Sequence, residues 1–261
     1  MGEWTKVGRW DFGREPGELA ALARARDGEV LHADRFTVVL RRGGIVVKHR
    51  AESLFLRLRR IGRGSSLVRE HEALAALARL GLATVEPRGA AAAFSGPLVR
   101  EEMLVTTYRE GLASLGYARR AKRPVERAVA FPALERLARD LKRVHDAGFR
   151  VGTLADRNVL VGPGGEYAVL DVGRAGRRGR AAADLGLLDK GLSCTLSRTD
   201  RLRLLRAYAG GGADSARPIR ALVAAVARER ARFERRGPLR ALARRVNRYL
   251  RQWSFLRSQL R

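Results

Sequence analysis

The residues richest in chemistry lie between His145 and Arg174, in the run HDAGFRVGTLADRNVLVGPGGEYAVLDVGR. The pattern predicts a helix ending at Ala147-Gly148, then a short polar loop. Asn158 opens an apolar strand, Val159-Leu160-Val161, and Pro163-Gly164-Gly165 make a turn. A second strand from Tyr167 to Leu170 delivers Asp171 at its end. A hairpin of this kind sets the amide of Asn158 beside the carboxylate of Asp171 at the mouth of a cleft. Two hard oxygen ligands are what Mg²⁺ takes from a protein when it also keeps waters and substrate phosphates. A second signal is the choice of cation. Of the 53 basic residues only five are lysines: Lys6, Lys48, Lys122, Lys142 and Lys190. Where a chain so rich in Arg keeps Lys, a compact ammonium is favoured over a planar fork.

The elements around these residues follow from periodicity. Glu29 to His32 is a weak strand and Arg35 to Leu40 a stronger one, rich in β-branched and aromatic residues. Arg41-Arg42-Gly43-Gly44 turns the chain into Ile45-Val46-Val47-Lys48-His49, so Lys48 stands late in a strand. Leu67 to Leu80 reads as a helix stopped by Gly81, with Glu70 and Glu72 in its first half. An extended segment closes on Pro87, and strand signals run from Leu98 into Thr107-Tyr108. Pro132 to His145 is a helix with Leu134, Leu137, Leu141 and Val144 on one face. Residues 1–27 carry no clear assignment.

These segments resemble the protein-kinase-like fold, whose signature is H-x-D-x-x-x-x-N followed by D-F-G. Asn158 sits at the Asn position and Asp171-Val172-Gly173 at the D-F-G position. Five residues before Asn158, where that fold has its catalytic Asp, is Thr153; Val151 stands where it has His. Five stretches in order are similar to lipopolysaccharide inner-core (Kdo/heptose) kinases, covering residues 30–210: VVKHR, REHEALAALARLGLATVEP, EEMLVTTY, LKRVHDAGF and, after Asp171, LSRTDRLRLLRAY.

The resemblance implies an α+β, bilobal architecture. A small antiparallel-sheet N-lobe with one helix would span residues 1–107, a mostly helical C-lobe 108–210, and a basic helical extension 211–261. It implies ATP and Mg²⁺ as cofactors. Lys48 would hold the nonreacting phosphates, braced by Glu70 with Glu72 as second choice. Thr107 and Tyr108 would form the hinge that meets the adenine, and Asn158 and Asp171 would hold the metal. The acceptor would be a sugar hydroxyl of an anionic glycolipid. Two departures stand against this pattern. No G-x-G-x-x-G precedes Lys48, and Thr153 cannot accept a proton at neutral pH. Asp156, in the same loop, is the candidate to stand in for the missing base. Three functions therefore stay open: an ATP-dependent phosphotransferase, a pseudokinase that holds nucleotide without transfer, and a basic membrane or nucleic-acid binder on a degenerate kinase fold.

Composition bears on the choice. The net charge of +26 favours polyanions, whether nucleic acid, anionic lipid or phosphorylated glycan. The constellation Lys48, Glu70, Asn158, Asp171 argues against a nucleic-acid binder, which has no use for it. Cys194 is the one cysteine, so no intrachain disulfide forms and a reducing compartment is expected. MGEWTKVGRW shows no apolar signal region, and the longest apolar run, Ala221 to Ala227, is too short to span a bilayer. These features lead us to expect a cytoplasmic protein, and the resemblance to lipopolysaccharide kinases implies a peripheral place at the inner membrane. From Leu239, apolar residues recur at 242, 246, 249, 253, 256 and 260 on an Arg-rich helix. Such a helix docks on the large lobe, lies on anionic membrane or forms a coiled-coil seam.

Overall fold

The computed structural model describes residues 4–8, 14–34, 36–51, 64–116, 125–177, 179–210 and 219–235. Six strands form one antiparallel sheet: β1 (Trp4–Gly8), β2 (Glu29–Ala33), β3 (Thr37–Arg42), β4 (Ile45–Ala51), β5 (Pro87–Ser95) and β6 (Leu98–Thr107), in the order β1-β5-β6-β4-β3-β2. Alternation along β4 and β6 sends successive side chains to opposite faces. Val47, Met103 and Val105 pack with Leu19, Ala20 and Ala23 of α1 (Pro16–Ala25). On the other face Leu104 and Ala90 join Leu67, Leu74 and Leu77 of α2 (Ser66–Arg79).

The rest of the chain is mostly helical. α3 (Arg127–Asp146) buries Leu134, Leu137, Leu141 and Val144, the face read from the sequence. It begins five residues earlier than the proline suggested. Pro132 lies inside the helix rather than at its start, and that position gives up one backbone hydrogen bond. A 3-10 turn at Asp156–Asn158 leads into β8 (Val159–Val161), which pairs with β9 (Tyr167–Val169) and with the short β7 (Ala113–Ser114). α4 (Ala181–Leu192) and α5 (Arg198–Ala209) follow, and residues 219–235 are helical. Among the described residues no helix is long and apolar enough to cross a membrane.

The two halves are stitched together by backbone. The extended segment after α2 lies alongside β9: Val169 N–H donates to Ala83 O at 2.9 Å, and Val85 N–H donates to Val169 O at 3.2 Å. Tyr167 ties the same junction, donating its hydroxyl to Asp140 while accepting from Ala83 N–H at 3.2 Å. The hairpin that carries Asp171 is thereby fixed relative to the helix that carries Glu70.

One expectation changes. The small lobe was expected to have one helix; among the described residues it has two, because residues 4–25 include β1 and α1. Few periodic residues mark that segment, and its order comes from burial against the sheet. The amphipathic stretch from Leu239 onward lies outside the described residues.

Candidate active site

Lys48 stands on β4 opposite Leu104 of β6, on the face that α2 covers. Its ammonium donates to both carboxylate oxygens of Glu70, at 2.8 and 3.1 Å, and to Asp171 Oδ1 at 3.0 Å. Three residues from three elements, spread over more than a hundred positions of chain, thus meet at one nitrogen. Glu70 is buried and Glu72, one residue beyond the next, is exposed, so the helix settles which glutamate faces the lysine. Burial alone would lower the Lys48 ammonium, but Glu70 and then Asp171 outweigh it and hold it above its usual value. Burial would raise the Asp171 carboxyl, yet the ammonium, with Arg157 and Arg50 behind it, holds it below the carboxylate range. Glu70 goes the other way: burial lifts it and Lys48 only partly offsets that.

The start of α2 is anchored from the sheet. Glu102, 2% exposed on β6, takes Ser66 N–H at 2.7 Å and Leu67 N–H at 3.1 Å on Oε2. The hydroxyls of Ser65 and Ser66 donate to it at 2.8 and 2.6 Å, and Arg50 Nη1 at 3.3 Å. Ser65 is also the N-cap, accepting from Val68 N–H at 3.1 Å. The backbone donors of Ser66, Leu67 and Val68 in the first helical turn are therefore matched. Burial would raise the Glu102 carboxyl, but its donors, Ser66 and Ser65 foremost, hold it down as the anion.

On the loop side, Thr153 is a clasp. Its hydroxyl donates to Asp171 O at 2.5 Å, and its own carbonyl accepts from Asn158 Nδ2 at 2.9 Å. One residue therefore joins both expected metal ligands. Asp171 has φ +58°, a left-handed value that side chains other than Gly and Asn/Asp seldom adopt, and the Thr153 bond holds it there. The preceding loop hangs on Asp184 of α4, which accepts from Val151 N–H at 2.9 Å and Gly152 N–H at 2.7 Å and lies 3.2 Å from His145 Nε2. The Tyr208 hydroxyl lies 2.8 Å from the other His145 nitrogen. Gly152 is required at this point, since a Cβ there would lie 2.6 Å from Arg174 O. Asp156 is buried against α4, so close that a Cβ on Gly191 would lie 2.6 Å from both its Cβ and its Cγ.

Thr107 and Tyr108 do sit at the end of β6, but their N–H groups are engaged. Thr107 N–H donates to Glu86 O at 2.9 Å and Tyr108 N–H to Gly44 O at 2.8 Å. The guanidinium of Arg41 lies 3.8 Å over the Tyr108 ring.

Among the described residues no cluster of three His, Cys, Asp or Glu forms a metal cage. The donors fit a cation that brings waters and phosphate oxygens with it. The Asp171 side chain is 45% exposed, with Oδ1 on Lys48, and the Asn158 amide keeps its oxygen for a ligand because its nitrogen is held by Thr153. Sequence reasoning missed Glu102 and Asp184. Both are acids in apolar surroundings (EEMLV on a strand, AAADLGLL on a helix), which is the signal of a buried polar anchor.

Among curated proteins none matches this chain. A solved structure described as a co-crystal of WbdD with the kinase inhibitor LY294002 superposes with a TM-score of 0.49 at 14% identity, covering 77% of this chain and 45% of that one. The family model described as the lipopolysaccharide kinase (Kdo/WaaP) family matches residues 24–208, which include Lys48, Glu70, Thr153, Asn158 and Asp171. With most of its length matched, the chain belongs to the lipopolysaccharide kinase (Kdo/WaaP) family.

Proposed function

We propose that the cleft binds ATP with Mg²⁺ and transfers the γ-phosphoryl group to a sugar hydroxyl of an anionic lipopolysaccharide-type glycolipid. The observation that carries the reading is the Lys48 ammonium held between Glu70 and Asp171. Phosphoryl transfer asks a protein mainly for positioning and charge neutralisation around a loose transition state. Lys48 meets the nonreacting phosphates, and Glu70 fixes its direction. Asp171 and the Asn158 amide oxygen would hold a divalent cation, which would supply neutralising charge to the phosphates. The bond from the γ phosphorus to the bridging oxygen breaks as the bond to the acceptor oxygen forms. With a threonine at 153, the acceptor proton passes to an oxygen of the transferred group. The exposed guanidiniums of Arg157 and Arg174 near the loop favour an anionic acceptor. Residues 239–260 supply the peripheral contact with anionic membrane at the cytoplasmic face.

A second reading is favoured by one specific observation. The Thr153 hydroxyl is committed to Asp171 O, and Asp156 is packed on Gly191, so neither stands ready as a base. In that reading the protein is a pseudokinase that keeps nucleotide and performs no transfer. Purified protein mixed with Mg·ATP and a lipopolysaccharide core acceptor separates the two. Labelled phosphate on the acceptor supports the phosphotransferase. A nucleotide-dependent rise in melting temperature without label supports the pseudokinase, and neither response removes both.

A further inference from the structure

The Lys48–Glu70 pair must be in place for nucleotide phosphates to be held, and in this fold the helix bearing the glutamate is where control is exerted. Here that helix has little freedom. Glu102 and Lys48 both belong to the central sheet, on the paired strands β6 and β4, with Glu102 opposite Arg50 and Leu104 opposite Lys48. Glu102 receives two backbone N–H groups, two hydroxyls and one guanidinium at the first turn of α2, all at or below 3.3 Å. Glu70 lies one turn further along the same helix. A carboxylate at a helix N-terminus also meets the positive end of its dipole. The distance from Lys48 to Glu70 is then set by one rigid sheet and one turn of helix. Leu67, fully buried beside the anchor, closes the apolar side of the same turn.

A second observation comes from the sequence. Between Asp171 and the start of α4 run Val172, Gly173, Arg174, Ala175, Gly176, Arg177, Arg178, Gly179 and Arg180. No Ser, Thr or Tyr occurs there, so that segment offers no hydroxyl for phosphorylation and no such device for moving α2. We infer that Glu102 is a positioning residue which locks α2 to the sheet, so that the lysine–glutamate grip is permanently assembled rather than switched. The inference rests on the nucleotide-binding reading for its purpose, but the lock itself is a property of the free protein.

The test uses the full chain and its Glu102→Gln variant, which keeps shape and loses charge. Backbone hydrogen exchange on residues 66–70 is expected to quicken roughly 10- to 100-fold, the factor that accompanies loss of a charge-assisted hydrogen bond, while β5 and β6 stay protected. If the competent helix position then falls to about one-tenth of molecules, the dissociation constant for Mg·ATP rises about tenfold. Adenosine, which has no phosphates to meet Lys48, is expected to bind within about twofold of the parent. Ser66→Ala, which removes a single donor, gives a smaller shift in the same direction and serves if the glutamine variant does not fold. Unchanged exchange at 66–70 in both variants overturns the lock. Exchange that quickens equally throughout the sheet also overturns it, since Glu102 would then only hold up the fold. If the parent protein shows no melting shift with Mg·ATP, the nucleotide reading fails, and the exchange measurement still decides the lock.

Discussion

On the sheet side of the cleft, Lys48 is enclosed by Glu70 and Asp171, and Glu102 is wrapped in five donors. On the loop side, the place of the catalytic carboxylate is taken by Thr153, whose hydroxyl turns back onto the main chain at Asp171. The first region invests charge, burial and a tertiary cap in holding one ammonium. The second invests a neutral clasp in holding a loop. A site under one demand would be built one way throughout. The contrast teaches that holding a nucleotide and activating an acceptor are separable demands, and that this chain keeps the residue types for the first.

The strongest way to break the comparison is at Lys48. Replacing it with Met leaves Glu70 buried without its partner, a change of the kind that costs about 3–5 kcal/mol of stability. The thermal response to Mg·ATP should vanish, with affinity down at least ~100-fold, about 3 kcal/mol. A Lys48→Met protein that still gains melting temperature with Mg·ATP as the parent does would show that the ammonium does not meet the nucleotide.

Next in size is Thr153→Asp, which asks whether the loop side lacks only its base. General-base help is worth roughly 10²–10⁴-fold, so labelled transfer to a core-sugar acceptor should rise at least about 100-fold. The change also removes the donor to Asp171 O and sets a carboxylate near a carbonyl, lowering stability by about 1–3 kcal/mol. A folded, nucleotide-binding variant with no gain in transfer would locate the difference between the two regions elsewhere than in the base.

Proton linkage sharpens the contrast at smaller scale. The Asp171 carboxyl is held below its unfolded value, so its contribution is complete above that value and is lost as pH falls through the lower folded one. The advantage of the parent over Asp171→Asn in melting temperature should therefore be present at neutral pH, begin to fall near pH ~4 and disappear only as pH drops through the lower folded value. The side chain is 45% exposed, which limits the effect to about 1 kcal/mol or less. Glu70, raised on folding, has the opposite sign: it favours the folded state below its unfolded value, and that gain is lost as pH rises through the folded one. Thr153→Val carries no titrating group, and its melting difference from the parent should stay flat over the same range. A sloping Thr153→Val difference would mean that the clasp is coupled to the charges after all.

Much of this was legible in the residues. Asn158 and Asp171 were marked by strand alternation and a turn, and Lys48 by the rarity of lysine. The resemblance puts Glu70 first and Glu72 second as the partner of Lys48, and it is Glu70 that is buried and bonded to the ammonium while Glu72 is exposed. What stayed hidden depended on long-range contact. Glu102 is 36 residues from Ser66 and Asp184 is 33 from Val151, and no local pattern links them. The β1–α1 segment was invisible because its order comes from covering a sheet face that other strands create. A hinge at Thr107 and Tyr108 is an expectation from the resemblance alone, and the engagement of both N–H groups depends on the carbonyls of Glu86 and Gly44, distant in sequence.

The smallest effect is expected at Asp156. The sequence makes it the nearest carboxylate to the vacant base position, three residues beyond Thr153. The structure seats it against Gly191 on the last turn of α4, with its Oδ1 2.8 Å from where a Cβ of residue 191 would lie. Reaching an acceptor hydroxyl would require the carboxylate to leave that seat. Asp156→Asn is nearly the same shape, so Mg·ATP affinity and any phosphotransfer should stay within about twofold of the parent, where loss of a base costs roughly 10²-fold or more. Gly191→Ala supplies the complementary change. Its methyl group forces Asp156 out of its seat and should cost about 1–3 kcal/mol of stability while leaving nucleotide affinity alone. A hundredfold fall in transfer for Asp156→Asn, with nucleotide binding intact, would assign the base to Asp156 and place acceptor chemistry on the loop side, erasing the contrast between the two halves of the cleft.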